Sequence, residues 1–288
     1  MELLNIFQES LSLSIKIALL IFVLMIVVEL VVLKYERQIL GFVKRSKFLS
    51  YFTSSFFGAI PGCTGTFAID SLYMCGLVSF GSIVAVMIST CGDEAFLLLS
   101  MVAAGKISFS VVLYLVFILF LLGVAGGYIA DCLVRKFDIK LCRNCAITYH
   151  KNVEFKFRHF IKEHIYEHIV KKHMLKIFFW LFASIFIIEV AQGYIDANAL
   201  FSGSNMFYVL LIASLIGLLP ISGPNVFFIV MFSEGLIPFS VLLANSIIQD
   251  GHGLLPIMGF SLNDFVKIKM FNFVFGLAVG LILLIIGL

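Results

Sequence analysis

Runs of about 20 mostly apolar residues recur from one end of the 288-residue chain to the other, each long enough to cross a hydrocarbon core about 30 Å thick. They fall at about 11–33, 46–75, 79–104, 107–130, 174–195, 206–234, 237–260 and 270–288. With 61% hydrophobic and 13% charged residues, against about 25% charged in a soluble domain, too little polar surface remains to cover a water-facing globule. Run length favours helices, since a barrel strand needs only about ten alternating residues. The expected class is therefore an all-α integral membrane protein. Met1 to Ser10 is acidic and the run after it is of full spanning length, so a retained first helix is expected rather than a cleaved signal peptide.

Basic residues gather in two segments. The first holds Lys34, Arg37, Lys44, Arg45 and Lys47; the second, from about Asp131 to His173, runs from Arg135 and Lys136 to Lys171 and Lys172. The positive-inside rule puts the 34–47 and 131–173 loops in the cytoplasm of a multi-pass protein of the cell (inner) membrane. Lys267 and Lys269 would also sit inside. The bilayer and a transported ion or small solute are the expected partners, with no nucleic acid; a homo-oligomer is compatible with the composition. The cysteines form no secreted-type framework, and reduced thiols are expected.

The chain repeats itself. Gly58-Ala-Ile-Pro61 returns as Gly217-Leu-Leu-Pro220, 159 residues later. The same offset relates Gly76 to Gly235, Phe80 to Phe239, Ala85 to Ala244 and Gly92 to Gly251. Upstream, Lys16-Ile17 pairs with Lys176-Ile177 and Glu29 with Glu189, 160 residues apart. Helix 11–33 precedes a basic loop and its counterpart near 174–195 follows one, so equivalent elements run in opposite directions. That predicts two inverted repeats with broken helices or re-entrant hairpins, about 8–10 helical membrane segments in all. The repeats would occupy 1–130 and 174–288, joined by a basic, His-rich linker at 131–173. An even number of crossings must separate the two basic segments, so a segment broken at Pro61-Gly62 or at Ser222-Gly223-Pro224 would enter and leave on one side.

Polar residues at membrane depth carry the chemistry. They stand in Pro61-Gly-Cys-Thr-Gly-Thr66, Ser89-Thr-Cys-Gly-Asp-Glu94, Pro220-Ile-Ser-Gly-Pro-Asn225 and Asn245-Ser-Ile-Ile-Gln-Asp-Gly-His252. Unwound backbone survives in a bilayer only where it is buried or lines a cavity. Asp93, Glu94, Asp250 and His252 are the candidate metal ligands, with Asn245, Gln249, Asn225, Cys63, Thr64 and Ser222 as supporting binding residues. Carboxylates, amide oxygens and an imidazole suit divalent cations such as Mn²⁺. The structural alternative is that they pair with one another and cap the broken helices. Glu29, Glu189 and Asp70 are candidates for proton coupling. In the linker, Cys142 and Cys145, with His150, His159, His164, His168 and His173, are first explained as a solvated basic surface helix; the second reading is a segment that collects metal.

Gly217 to Asn225, Gly235 to Ser246 and Gln249-Asp-Gly-His-Gly253, together with Pro61-Gly-Cys-Thr-Gly65 and Thr90 to Phe96, resemble the ten-helix heavy-metal exporter family. The resemblance covers both repeat cores and implies a metal or metalloid efflux permease. It also leads to the expectation of a histidine at position 225, where this chain has Asn225. The expected function is secondary export of a divalent metal, Mn²⁺ for preference, by alternating access with proton coupling and no tightly bound cofactor. The alternative is a permease for an anionic or organic solute such as an arsenical, with the acids as proton carriers. There is no GxxxxGK[ST], HExxH or GxSxG, so neither an enzyme nor a self-contained ATPase is expected.

Overall fold

A computed structural model describes residues 2–40, 46–62, 64–74, 76–92, 94–139, 141, 175–194, 205–220, 223–251 and 253–287. The regular elements among them are all helices: α1 (Glu2–Leu40), α2 (Lys47–Ala59), α3 (Thr64–Met74), α4 (Phe80–Ser89), α5 (Glu94–Ala103), α6 (Phe109–Lys136), α7 (Leu175–Tyr194), α8 (Asn205–Gly217), α9 (Gly223–Ser233), α10 (Phe239–Ile248), α11 (Leu255–Phe260) and α12 (Leu262–Ile286). Among the described residues, four segments are long and apolar enough to cross a membrane: Ile6–Val23, Phe80–Ala103, Phe109–Lys136 and Leu262–Ile286. Their outer faces bear large apolar side chains, among them Leu113 and Phe117 on α6 and Val274 and Ile285 on α12. Contiguous exposed apolar surface of this kind belongs in lipid. The protein is a multi-pass membrane protein.

The expected spans at 46–75 and 206–234 are each broken where proline and glycine stand, between α2 and α3 and between α8 and α9. Those at 79–104 and 237–260 are broken too, in the polar stretches that follow Ser89 and Ile248. Two boundaries also differ. α1 has 39 residues, about 58 Å of rise, and outruns the apolar stretch at both ends. α12 begins at Leu262 rather than near 270, because the Ser261 side chain accepts from Asp264 N at 3.2 Å and caps it. Lys267 and Lys269 therefore lie within a helix.

Helix bounds recur with the sequence. Moving α3 and α4 on by 159 residues gives the bounds of α9 and α10. Gly76 and Gly235 take left-handed φ values of 68° and 71°, and Gly92 and Gly251 take 44° and 52°. Packing recurs as well: α4 lies against α2 and α6, and α10 against α8 and α12. The start of α2 (Ser46, Lys47), the α3–α4 connection (Gly76–Ser79) and the end of α6 (Val134, Arg135) line one cavity of about 720 Å³. So α2 and α3 form a hairpin that starts and finishes at one end of the molecule. The corresponding α9–α10 connection lies elsewhere. Its Glu234 pairs with Lys106 at 3.0 Å, just before α6 begins. The two connections thus sit at opposite ends of the 28-residue α6, roughly 42 Å apart along its axis.

Small residues let the backbones touch. A Cβ on Gly127 would lie 2.5 Å from Gly81 O and 2.9 Å from Ala85 Cβ, and one on Gly58 would lie 2.4 Å from Val86 O. The α4–α6 contact is locked further by Asp131, which accepts from Gly81 N and from Tyr51 Oη, both at 2.6 Å. Placed at a helix N-terminus, the carboxylate also meets a favourable dipole. Gly127→Leu is expected to destabilise the protein by at least about 2–3 kcal/mol, read as a lower melting midpoint in detergent. Gly259→Ala, where a Cβ meets nothing within 4 Å, should leave the midpoint unchanged.

Candidate functional site

The site grows from the two breaks that end α4 and α10. Each helix ends in an extended cap residue: Thr90 (φ −71°, ψ 122°) after α4 and Gln249 (φ −74°, ψ 132°) after α10. Two residues further on, Gly92 and Gly251 turn the chain through left-handed φ, which glycine adopts at little cost. Carbonyl and amide groups freed by a break must find partners inside the protein. In the first half they find each other: Gly62 N donates to Gly92 O at 3.0 Å and Cys91 N to Gly58 O at 3.3 Å. In the second half a side chain takes over. Lys269 Nζ donates to Gly217 O at 3.1 Å and to Ile248 O at 3.2 Å.

The two breaks meet. Gln249 Nε2 donates to Glu94 Oε2 at 3.0 Å across 155 residues of sequence, and α4 packs on α10. Thr66 and Thr90 share a hydrogen bond of 3.2 Å, and Thr66 lies so close to Gly253 that a Cβ there would approach its Cγ2 to 2.7 Å. Asp250, 2% exposed, is held from two sides. Asn272 Nδ2 donates to its Oδ1 at 2.9 Å and the Lys269 ammonium stands 2.5 Å from its Oδ2. Asp70, on α3, is fully buried; neither carboxylate oxygen has a hydrogen-bond partner, and it lies within electrostatic reach of Asp250. A little deeper, Asn245 Nδ2 donates to Ala213 O at 2.8 Å and to Asn225 Oδ1 at 3.1 Å.

Of the residues singled out from sequence, the structure brings Glu94 to Gln249 and Asn245 to Asn225, and sets Asp70 within electrostatic reach of Asp250. Asp93, His252, Cys63 and Ser222 lie outside the described residues, as do the side chains of Thr64, Glu29 and Glu189 and the linker positions Cys142, Cys145, His150, His159, His164, His168 and His173. Among the described residues, no three His, Cys, Asp or Glu side chains come close enough to hold a metal. Sequence reasoning missed Lys269 and Asn272. Their signal was present: an amine and an amide three residues apart share one face of an apolar helix, and an ionisable residue at that depth marks function.

Discontinuous helices meeting around buried acids are the construction of a membrane transporter core. Over residues 6–200, and again over 158–286, the chain matches the family described as "Putative, 10TM heavy-metal exporter". It belongs to that family, whose description makes it a membrane transporter of metal. Neither the curated proteins nor the solved structures contain a match.

Asn245 supplies a donor to both Ala213 O and Asn225 Oδ1. Asn245→Ala removes it and is expected to lower stability by about 1–3 kcal/mol, measured as a shift of the thermal midpoint of the purified protein.

Proposed function

We propose that the chain is a secondary exporter of divalent metal ions, Mn²⁺ for preference, working by alternating access with proton exchange. The observation that carries the reading is the pair of helix breaks that touch through the Gln249–Glu94 hydrogen bond and bury Glu94 and Asp250, with Asp70 of α3 buried within electrostatic reach of Asp250. Carboxylate, amide and carbonyl oxygens are hard donors suited to such cations. An anion finds less: the one buried Lys or Arg among the described residues is Lys269, and Asp250 neutralises it. Because the described residues form no three-ligand cluster, Asp93 and His252 would complete the ligand set in this reading, with Cys63, Thr64 and Ser222 flanking it.

Alternating access draws support from the recurrence at 159 residues and from the two connections at opposite ends of α6. Two inverted halves rocking about a shared central site would expose it to each side in turn. Proton exchange draws support from Asp70. A buried carboxyl group with no hydrogen-bond partner among the described residues and a second acid within electrostatic reach is costly to hold charged, which suits a group that takes up and releases a proton. Glu29 on α1 and Glu189 on α7 would form a symmetric second pair. Residues 34–47 and 131–173 would face the cytoplasm.

In proteoliposomes with an imposed pH gradient, the wild-type protein is expected to carry Mn²⁺ in a gradient-dependent way. Glu94→Gln and Asp250→Asn should each cut that flux at least about tenfold, equivalent to roughly 1.4 kcal/mol. Zn²⁺, Co²⁺ and arsenite run in parallel. Arsenite binding that survives both substitutions, with no Mn²⁺ flux in wild type, would replace this reading by one in which the acids serve an arsenical or other solute only as proton carriers.

A further inference from the structure

Lys269 is engaged by three oxygens in the second half. It is 4% exposed on a 25-residue apolar helix. Its ammonium faces three oxygens of different origin: Gly217 O, Ile248 O and Asp250 Oδ2. Gly217 and Ile248 are the last residues of α8 and α10, so their carbonyls belong to final turns with no intrahelical partner and carry the negative ends of two helix dipoles. Asn272, three residues along α12, holds the other carboxylate oxygen in place. This is an oxygen cage built for a cation and filled by a tethered one.

The fold does not require it. At the corresponding break in the first half, Gly58 O is satisfied by Cys91 N, backbone to backbone. Gly276 and Gly280 approach Ala244 as Gly123 and Gly127 approach Ala85, 153 residues earlier. That register puts Val116 and Leu119 where the second half has Lys269 and Asn272, while the offset of 159 puts Cys91 opposite Asp250. One break is closed by backbone hydrogen bonds and the other with a buried ion pair. Because a buried pair is weak evidence for stability and is often replaceable by apolar groups, its presence on one side only calls for another role.

We propose that the Lys269 ammonium is an exchangeable counter-cation: it neutralises Asp250 while no transported cation is bound, and the transported cation takes its place at Asp250. Lys269 then keeps its two carbonyl partners, so the exchange needs a swing of its head group and no rebuilding of the helix ends. The inference rests on the metal-export reading. It also adds a property: the empty carrier returns without a bare carboxylate at membrane depth and without a second inorganic cation at that position.

The test uses the purified full-length protein, with Lys269→Gln, Lys269→Ala and the double variant Lys269→Ala/Asp250→Asn. With its internal competitor removed, Lys269→Gln should bind Mn²⁺ about tenfold or more tightly than wild type, whereas a purely structural lysine predicts weaker binding. Lys269→Ala should melt lower than wild type and be restabilised by methylammonium or Na⁺, with no such shift in wild type or in the double variant. In liposomes its Mn²⁺ flux should fall about tenfold and return on adding methylammonium. Wild-type flux from Lys269→Ala without added cation, or equal restabilisation of the double variant, overturns the proposal. If Lys269→Ala does not fold, Lys269→Gln carries the binding and melting arms alone. Wild-type protein that moves no Mn²⁺ but whose variants keep the cation-dependent melting pattern would count against metal export and leave the counter-cation assignment standing.

Discussion

A helix that stops inside a bilayer strands carbonyls at one end and amides at the other, and no water is there to take them. The core of this protein is organised around that constraint. The breaks after α2 and α4 satisfy one another through Gly62–Gly92 and Cys91–Gly58, which forces the two to lie side by side. The breaks after α8 and α10 share the Lys269 ammonium, which forces α12 to cross both. Once the four breaks are drawn to one depth, the polar residues that caused them arrive together, and Gln249 reaches Glu94. The acids are buried because the breaks are.

The first half and the second half share a backbone frame and differ in what hangs on it. Thr90 and Gln249 cap their helices with nearly the same dihedral angles, and Gly92 and Gly251 turn the chain in the same way. Between cap and turn stand Cys91 in one half and Asp250 in the other. The frame thus delivers two equivalent positions to the centre, and only one of them bears a charge. Such asymmetry on a repeated frame lets one site be specialised without disturbing the helix that carries it.

Much of this was legible in the sequence because glycine and proline are informative where apolar residues are not. Pro61-Gly62 and the Pro220 to Pro224 stretch mark breaks, and the 159-residue spacing survives into helix bounds and left-handed glycines. Lys269 escaped because Asn263, Asp264, Lys267 and Lys269 itself dilute the hydropathy of the first turns of α12, so the span was read as starting near 270, whereas the Ser261 cap starts the helix eight residues earlier. Asp131 was assigned to a basic linker by its neighbours, although its carboxylate clamps α6 to α4. The Gln249–Glu94 bond joins residues 155 positions apart, and no local pattern encodes such a pair.

The glycine contacts have a mechanical consequence. Where Gly81 meets Gly127 and Gly58 meets Val86, backbone lies on backbone with only the short Asp131 and Ser89 side chains beside it, and there is little to re-sort. Such a seam has no intermediate settings: α2, α4 and α6 either stay in register or separate. The contact between α1 and α7 is of the other kind, with Phe7 set edge-on against Phe182 and Phe186 at 5.3 and 5.9 Å between ring centres. Aromatic edges can slide over one another with little loss. Among the described contacts, the α1–α7 seam is thus more compliant than the glycine contacts of α2, α4 and α6.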